Sequence, residues 1–111
     1  MDGYFAGRPG FERTVYDAVM AHLRDVGPVH AEAVAVGILV KRVRTFAELR
    51  PKRGRVSLSV LLSRRADGPR IARILPPLAN RFAHFIDLYG EDDIDAEVRD
   101  LLTEAYLASP A

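Results

Sequence analysis

The spacing of apolar residues changes twice along the chain, and this change constrains the fold more than any other feature. Between residues 11 and 26 apolar side chains recur every three or four positions, which is the spacing of one buried stripe on a helix. The stripe consists of Phe11, Val15, Val19, Leu23 and Val26. Gly27-Pro28 follows directly and ends a helix, because proline cannot continue it. The pattern predicts a helix over residues 11–26, after an irregular lead-in over residues 1–10.

Beyond this helix the apolar residues alternate with other residues, as they do in strands. The alternation begins near residue 34 and recurs in short segments separated by turn residues. The predicted strands cover residues 34–41, 45–50, 55–63, 70–75 and 81–88. The sequence Pro51-Lys52-Arg53-Gly54 suits a tight turn, since Pro presets the backbone and Gly accepts a positive φ angle. Strands joined by such short turns must be antiparallel.

A helical spacing returns near the end of the chain, over about residues 93–107, behind a run of carboxylates. Carboxylates favour the first turn of a helix because they cap free amides and oppose the positive end of the helix dipole. Both helices need an apolar surface to cover, and one face of the sheet supplies it. We therefore predict one α+β domain over residues 1–111. It is a two-layer sandwich, in which an antiparallel meander sheet of about five strands, within residues 33–89, is covered by an N-terminal and a C-terminal helix.

Charge is distributed very unevenly, although the net charge is only +1. Residues 41–81 carry twelve Lys or Arg and two acids, whereas residues 82–111 carry one Arg and eight acids. The candidate anion or nucleic-acid contacts cluster around two consecutive turns and are Lys41, Arg42, Arg44, Arg50, Lys52, Arg53 and Arg55. Phosphate binding needs such cationic side chains, but base stacking needs several aromatic residues, and Phe46 is the only one among residues 31–81. The alternative is that the basic turns pair with acids of the last helix, either in the same chain or in the second copy of a homodimer. They could equally pair with the acids of another protein.

Several classes of function have little support in the sequence. The chain has no Cys, which excludes a disulfide framework, a thiolate metal site and a cysteine nucleophile. Its three His are scattered, and the acidic run at residues 91–97 lacks the spacing of a calcium loop, so neither a metal nor another cofactor is predicted. No phosphate-binding glycine loop or nucleophile elbow is present, which favours a non-catalytic protein. The longest apolar run, residues 33–40, is short and the start is unlike a signal peptide, so we expect a cytoplasmic protein without a membrane segment.

Short segments over nearly the whole chain share a pattern with a known family. They are Leu23, Gly27-Pro28-Val29, Phe46-Ala47, Arg70, Arg81-Phe82-Ala83-His84, Asp92-Asp93-Ile94-Asp95 and Ala105-Tyr106. In these segments the chain resembles the small bacterial domains grouped as the domain of unknown function 5655 family, sometimes labelled predicted transport proteins. The resemblance implies the predicted fold and a binding or accessory role, and it implies no known reaction.

His84 is the histidine whose strand position sets it among apolar side chains, with Phe82, Ile86 and Leu88. Together with the resemblance, it predicts a small ligand pocket between the sheet and the last helix, lined by Phe46, His84 and Tyr106. The alternative is a hydrogen-bonded core histidine that binds no ligand. Three functions therefore stay open: ligand binding in this pocket, nucleic-acid or anion binding by the basic turns, and protein interaction through the opposed charges.

Overall fold

The computed structural model describes residues 1–109 of the 111-residue chain. Its helices are α1 (Asp2–Phe5), α2 (Gly10–Val26) and α3 (Ala96–Ala108), and one turn of 3-10 helix covers Glu91–Asp93. Its strands are β1 (His30–Val34), β2 (Gly37–Lys41), β3 (Thr45–Lys52), β4 (Arg55–Leu62), β5 (Ile71–Ile74) and β6 (Phe82–Leu88). The strands form one antiparallel sheet in the order β1-β2-β3-β4-β6-β5. The predicted α+β class is confirmed, with six strands instead of about five.

The additional strand is β1, which precedes the first predicted strand and shares only Val34 with it. The chain reverses at Ala35-Val36, so that Val34 pairs with Gly37. Val36 projects from this turn with 55% of its surface exposed. The apolar alternation runs through the reversal unbroken, and periodicity therefore could not locate it. The turn predicted over Pro51–Gly54 is shorter in the structure: Pro51 and Lys52 belong to β3, and the chain reverses at Arg53-Gly54, where Gly54 adopts a φ of 73°.

The lead-in that we predicted as irregular contains the single helical turn α1. Phe5 at its end is buried, and its ring lies 5.4 Å from the ring of Tyr16 on α2, measured between centroids. A helix of four residues is too short to be stable on its own, so tertiary packing of Phe5 supports it. Sequence periodicity has no signal for such an element.

The sheet departs from a meander at β5. The segment of residues 63–70, which we call the crossover segment, passes over the helix side of the sheet and is buried there at Ala66. β5 then pairs with the outer edge of β6, while β6 itself lies beside β4. The prediction of a meander is wrong at this point. The four-residue β5 suits an edge, whereas the longer β6 pairs with β4 along its whole length.

The core lies on one side of the sheet, which we call the covered face. Its buried side chains include Ile38, Val40, Leu49, Val56, Leu58, Val60, Leu62, Ile86 and Leu88. Apolar stripes of α2 and α3 pack on them, contributed by Val15, Val19, Met20, Leu23, Val98, Leu101, Leu102 and Ala105. The helices therefore cover this face, and none of the described helices lies on the other.

Candidate functional site

The three residues of the predicted pocket are all part of the core. Phe46 and His84 have no exposed surface, and Tyr106 is 2% exposed. Phe46 and Tyr106 pack edge to face, with centroids 5.6 Å apart, and the Tyr106 hydroxyl donates to the carbonyl oxygen of Pro28 at 2.9 Å. Cavities of about 10, 230 and 430 Å³ are present among residues 1–109, and other side chains line all three. The structure thus brings Phe46 and Tyr106 together as packing partners.

Both ring nitrogens of His84 are engaged by the backbone. Nε2 accepts a hydrogen bond from the amide of Ala66 at 2.9 Å, and Nδ1 lies 3.0 Å from the carbonyl oxygen of Phe82. Since Nε2 accepts, the proton is on Nδ1 and Nδ1 donates to Phe82. The imidazole therefore fastens the crossover segment to β6, in a place where an unpaired amide would be costly.

The acidic run before α3 binds the other end of the crossover segment. Arg70 donates to Asp95 from Nε at 2.8 Å and to Asp93 from Nη1 at 3.0 Å, and its amide donates to Glu97 at 3.0 Å. Asp95 also caps α3 by accepting from the amide of Val98. This capping bond and the Arg70 guanidinium lower the pKa of Asp95 below its ordinary value. Asp93, Asp95 and Glu97 are thus engaged inside the molecule.

A further contact joins the opposed charges within the chain. Arg64 donates two hydrogen bonds to the carboxylate of Glu104, at 2.8 and 2.7 Å, and thereby lowers the pKa of Glu104. Arg55 likewise donates to Asp87 at 3.0 Å. The middle and the end of the sequence therefore neutralise each other in part without a second molecule.

The seven basic candidates do not form one patch. The turn after β2 and the turn after β3 lie at opposite ends of the sheet, separated by the eight residues of β3, or roughly 25 Å. Lys41 and Arg50 pair with Glu32 and Glu48. Arg42 stacks on the Tyr106 ring at 4.5 Å and donates to the last carbonyls of α3. Among residues 1–109, Arg44, Lys52 and Arg53 make no ion pair, and they divide between the two ends.

The side of the sheet opposite the helices, which we call the open face, was not predicted as a site. Its residues alternate with those of the core and include Leu39, Glu48, Ser57, Ser59, Leu61, Ala83, Phe85 and Asp87. Four of them, Leu39, Leu61, Ala83 and Phe85, are apolar and partly exposed. The sequence held a signal for this surface, because these apolar residues occupy outward positions where a solvated sheet usually has polar ones.

Two adjoining grooves cross the open face. One, of about 230 Å³, lies among Leu39, Glu48, Ser59 and Phe85, and its wall includes Leu61 and Ala83. The other, of about 430 Å³, shares Leu61 and Ala83 with the first. Its far wall is the loop of residues 75–81, including Leu75, Pro76 and Leu78. The shared residues make the two grooves one continuous apolar surface.

The tip of this loop presents an apolar side chain beside the groove. Leu78 and Arg81 exchange backbone hydrogen bonds of 2.9 and 3.1 Å, and Ala79 and Asn80 between them have φ angles of 53° and 64°. Positive φ angles at both central residues describe a type I′ turn. Leu78 is 83% exposed at this turn. A fixed loop therefore holds a leucine in solvent next to an apolar groove.

Charges of both signs frame the open face. Three ion pairs lie on it, Lys41 with Glu32, Arg50 with Glu48 and Arg55 with Asp87. Arg73 of β5 stacks on the ring of Phe85, with Cζ 4.2 Å from the centroid. The surface thus has an apolar centre and a rim of mixed charge, which is the composition of many protein interfaces.

The fold and this surface define an α+β domain with one covered and one open sheet face. The chain belongs to the family described as Domain of unknown function (DUF5655), whose model matches residues 1–109. The resemblance seen in the sequence is confirmed. No curated protein and no solved structure matches the chain. Within residues 1–109, no helix is both long and apolar enough to cross a membrane.

Proposed function

We propose that the protein is a non-catalytic binding domain that docks a second copy of itself through the open face of the sheet. The observation that carries this proposal is the continuous apolar surface formed by Leu39, Leu61, Ala83 and Phe85. The reactive side chains of His84, Asp93 and Asp95 are engaged in internal hydrogen bonds instead. Binding by an apolar surface with a charged rim is therefore better supported than catalysis.

A second copy fits this face because the surface is complementary to itself. In a two-fold arrangement the same patch is used by both subunits. The protruding Leu78 of one copy can enter the groove beside Leu61 of the other, and the reverse contact forms at the same time. The mixed-charge rim also allows acids and bases to pair across the axis, whereas a rim of one sign would repel its copy.

The size of the open face sets the expected affinity. Six strands about 4.8 Å apart and on average about six residues long give a face of roughly 24 by 20 Å. A symmetric contact over that area buries roughly 1,000 Å² in total, below the usual range of specific complexes. We therefore expect a weak dimer, with a dissociation constant in the micromolar range or above.

The other functions that the sequence left open have less geometric support. A pocket between sheet and α3 has to form among Phe46, His84 and Tyr106, which are packed and hydrogen-bonded in the core. An interface of basic turns with α3 competes with internal ion pairs such as Arg64 with Glu104. Nucleic-acid or anion binding has to use basic turns at opposite ends of the sheet. A cytoplasmic location stays a prediction from the sequence.

Sedimentation equilibrium of the wild-type protein tests the proposal. We expect the average mass to rise from that of a monomer towards that of a dimer between about 5 μM and about 1 mM. The association should change little with salt, because the contact is mainly apolar. A monomer over the whole concentration range would contradict the proposal. Retention of an oligonucleotide on a filter at low salt, lost at high salt, would favour the basic turns instead.

A further inference from the structure

A separate candidate site lies on the covered side, where α1 and the start of α2 meet the sheet. A small cavity of about 10 Å³, open on one side, lies there. Its walls include three aromatic rings, from Tyr4, Phe5 and Tyr16, and its one charged group is the carboxylate of Glu12. Apolar strand residues such as Ile38 form the floor. This cavity is on the opposite side of the sheet from the open face, so it is independent of the proposed function.

Glu12 brings a carboxylate into this apolar setting with an unpaired oxygen. Its side chain is 8% exposed, and Oε1 accepts no hydrogen bond from any of residues 1–109. The nearest cation is Arg8, whose Nη1 lies 3.7 Å from Oε1. That separation exceeds hydrogen-bond distance. Since a buried carboxylate oxygen without a donor is costly, this group favours a ligand that brings an N–H group.

The aromatic walls also favour a cation. The face of an aromatic ring attracts positive charge, and Cζ of Arg8 lies 4.4 Å from the centroid of the Tyr4 ring. Nε of Arg8 donates to the carbonyl oxygen of Tyr4 at 3.1 Å, so the guanidinium is held against Tyr4. The Arg8 side chain is 35% exposed. A guanidinium of the chain itself thus lies beside the aromatic ring but outside hydrogen-bond distance of Glu12.

We propose that Tyr4, Glu12 and Tyr16 form a binding site for a guanidinium group, and that Arg8 is its intramolecular competitor. The space beside Glu12 holds only about one water-sized group, so the ligand takes the place of the Arg8 guanidinium against Tyr4 and places one N–H in that space, on Oε1. A quaternary ammonium ion has no N–H and leaves Oε1 unpaired. The ligand is either a free guanidino compound or an arginine side chain of a protein partner, which share this chemistry.

Calorimetric titration of the Arg8→Ala variant with ethylguanidinium chloride tests this site. We expect saturable binding that is at least about tenfold tighter than to the wild-type protein, because the competitor is gone. Tetramethylammonium should bind at least about tenfold more weakly than ethylguanidinium, and Arg8→Ala combined with Glu12→Gln should abolish binding. If N-acetyl-arginine amide binds as tightly as ethylguanidinium, the ligand is a partner's arginine; if it does not bind, the ligand is a small free compound.

Arg13→Ala is the matched control. Arg13 also stacks on an aromatic ring, that of Phe5, but it pairs with Asp2 on the outer surface. Its removal should leave guanidinium binding at the wild-type level. Circular dichroism verifies that the variants are folded, and Arg8→Gln replaces Arg8→Ala if the latter is not. A folded Arg8 variant without saturable binding at about 50 mM ethylguanidinium would overturn the proposal and leave a cavity that holds water only.

Discussion

The two faces of the sheet are built by the same alternating strands, but they have different surroundings. On the covered face Leu58 and Leu62 have no exposed surface, because α2, α3 and the crossover segment lie over them. On the open face Leu61, between them in sequence, is partly exposed beside a groove. One strand therefore carries a leucine used for folding and a leucine available for binding. The role of an apolar strand residue, in folding or in binding, can therefore be assigned only when it is known what covers that face of the sheet.

The largest expected effect tests this difference within β4. Leu58→Ala should lower the free energy of unfolding by about 3 kcal/mol, since it leaves a cavity in a packed core. Leu61→Ala, the matched control on the open face, should cost about 1 kcal/mol or less because its side chain already contacts solvent. Urea denaturation measures both values. Equal losses would mean that the open face is covered in solution.

The second effect concerns the crossover segment, which lies over the covered face and not over the open face. His84→Leu keeps the volume approximately, but it leaves the amide of Ala66 without its acceptor and removes the contact of Nδ1 with the carbonyl oxygen of Phe82. We expect a loss of about 2 kcal/mol in unfolding free energy, and faster hydrogen exchange at the Ala66 amide. His22→Leu is the control, since His22 makes a single contact, with Thr103 at a partly buried position. A protected Ala66 amide in the His84→Leu variant would contradict the role given to His84.

The third effect separates binding from folding on the open face. Phe85→Thr removes an apolar ring from the groove and keeps a residue type that strands favour. The dissociation constant of the proposed dimer should rise more than about tenfold, while unfolding free energy falls by about 1 kcal/mol or less. Leu107→Ser, at a 64% exposed leucine on α3, should leave association unchanged. If both variants weaken the dimer equally, the open face is not the interface.

The sequence predicted the strands well where alternation is long, and poorly where distant segments decide. β4 and β6 were predicted to within one residue at each end, because seven or eight alternating positions leave little choice of phase. The pairing of β6 with β4 and the path of the crossover segment were not predictable. They depend on contacts such as Arg70 with Asp95, which are 25 residues apart in sequence. No local pattern encodes such a contact.

The residues predicted to line a pocket, Phe46, His84 and Tyr106, pack in the core instead, for a related reason. Phase placed His84 among apolar residues, and the structure agrees, but phase does not reveal what occupies its ring nitrogens. The backbone of Ala66 and Phe82 does so. Conversely, Leu39 and Phe85 alternate with core residues and therefore lie on the outward side of the sheet. A search for polar site residues does not find an apolar binding surface of this kind.

The smallest effect concerns the charges that close the covered side, and it depends on pH. Hydrogen bonding from the Val98 amide and the Arg70 guanidinium lower the pKa of Asp95, so the ionised carboxylate stabilises the folded state. This contribution is fully present above the ordinary pKa near 3.8 and is lost as pH falls through the lower, folded value.

Asp95→Asn keeps the cap but not the charge. The wild-type protein should therefore be the more stable of the two at neutral pH, and the difference should vanish in acid. Arg70→Gln should reduce the difference, because it removes the second cause of the lowered pKa. Thermal melts of the four combinations of Asp95→Asn and Arg70→Gln measure this coupling, and an effect of Asp95→Asn that is the same with and without Arg70 would show that this ion pair does not contribute to stability.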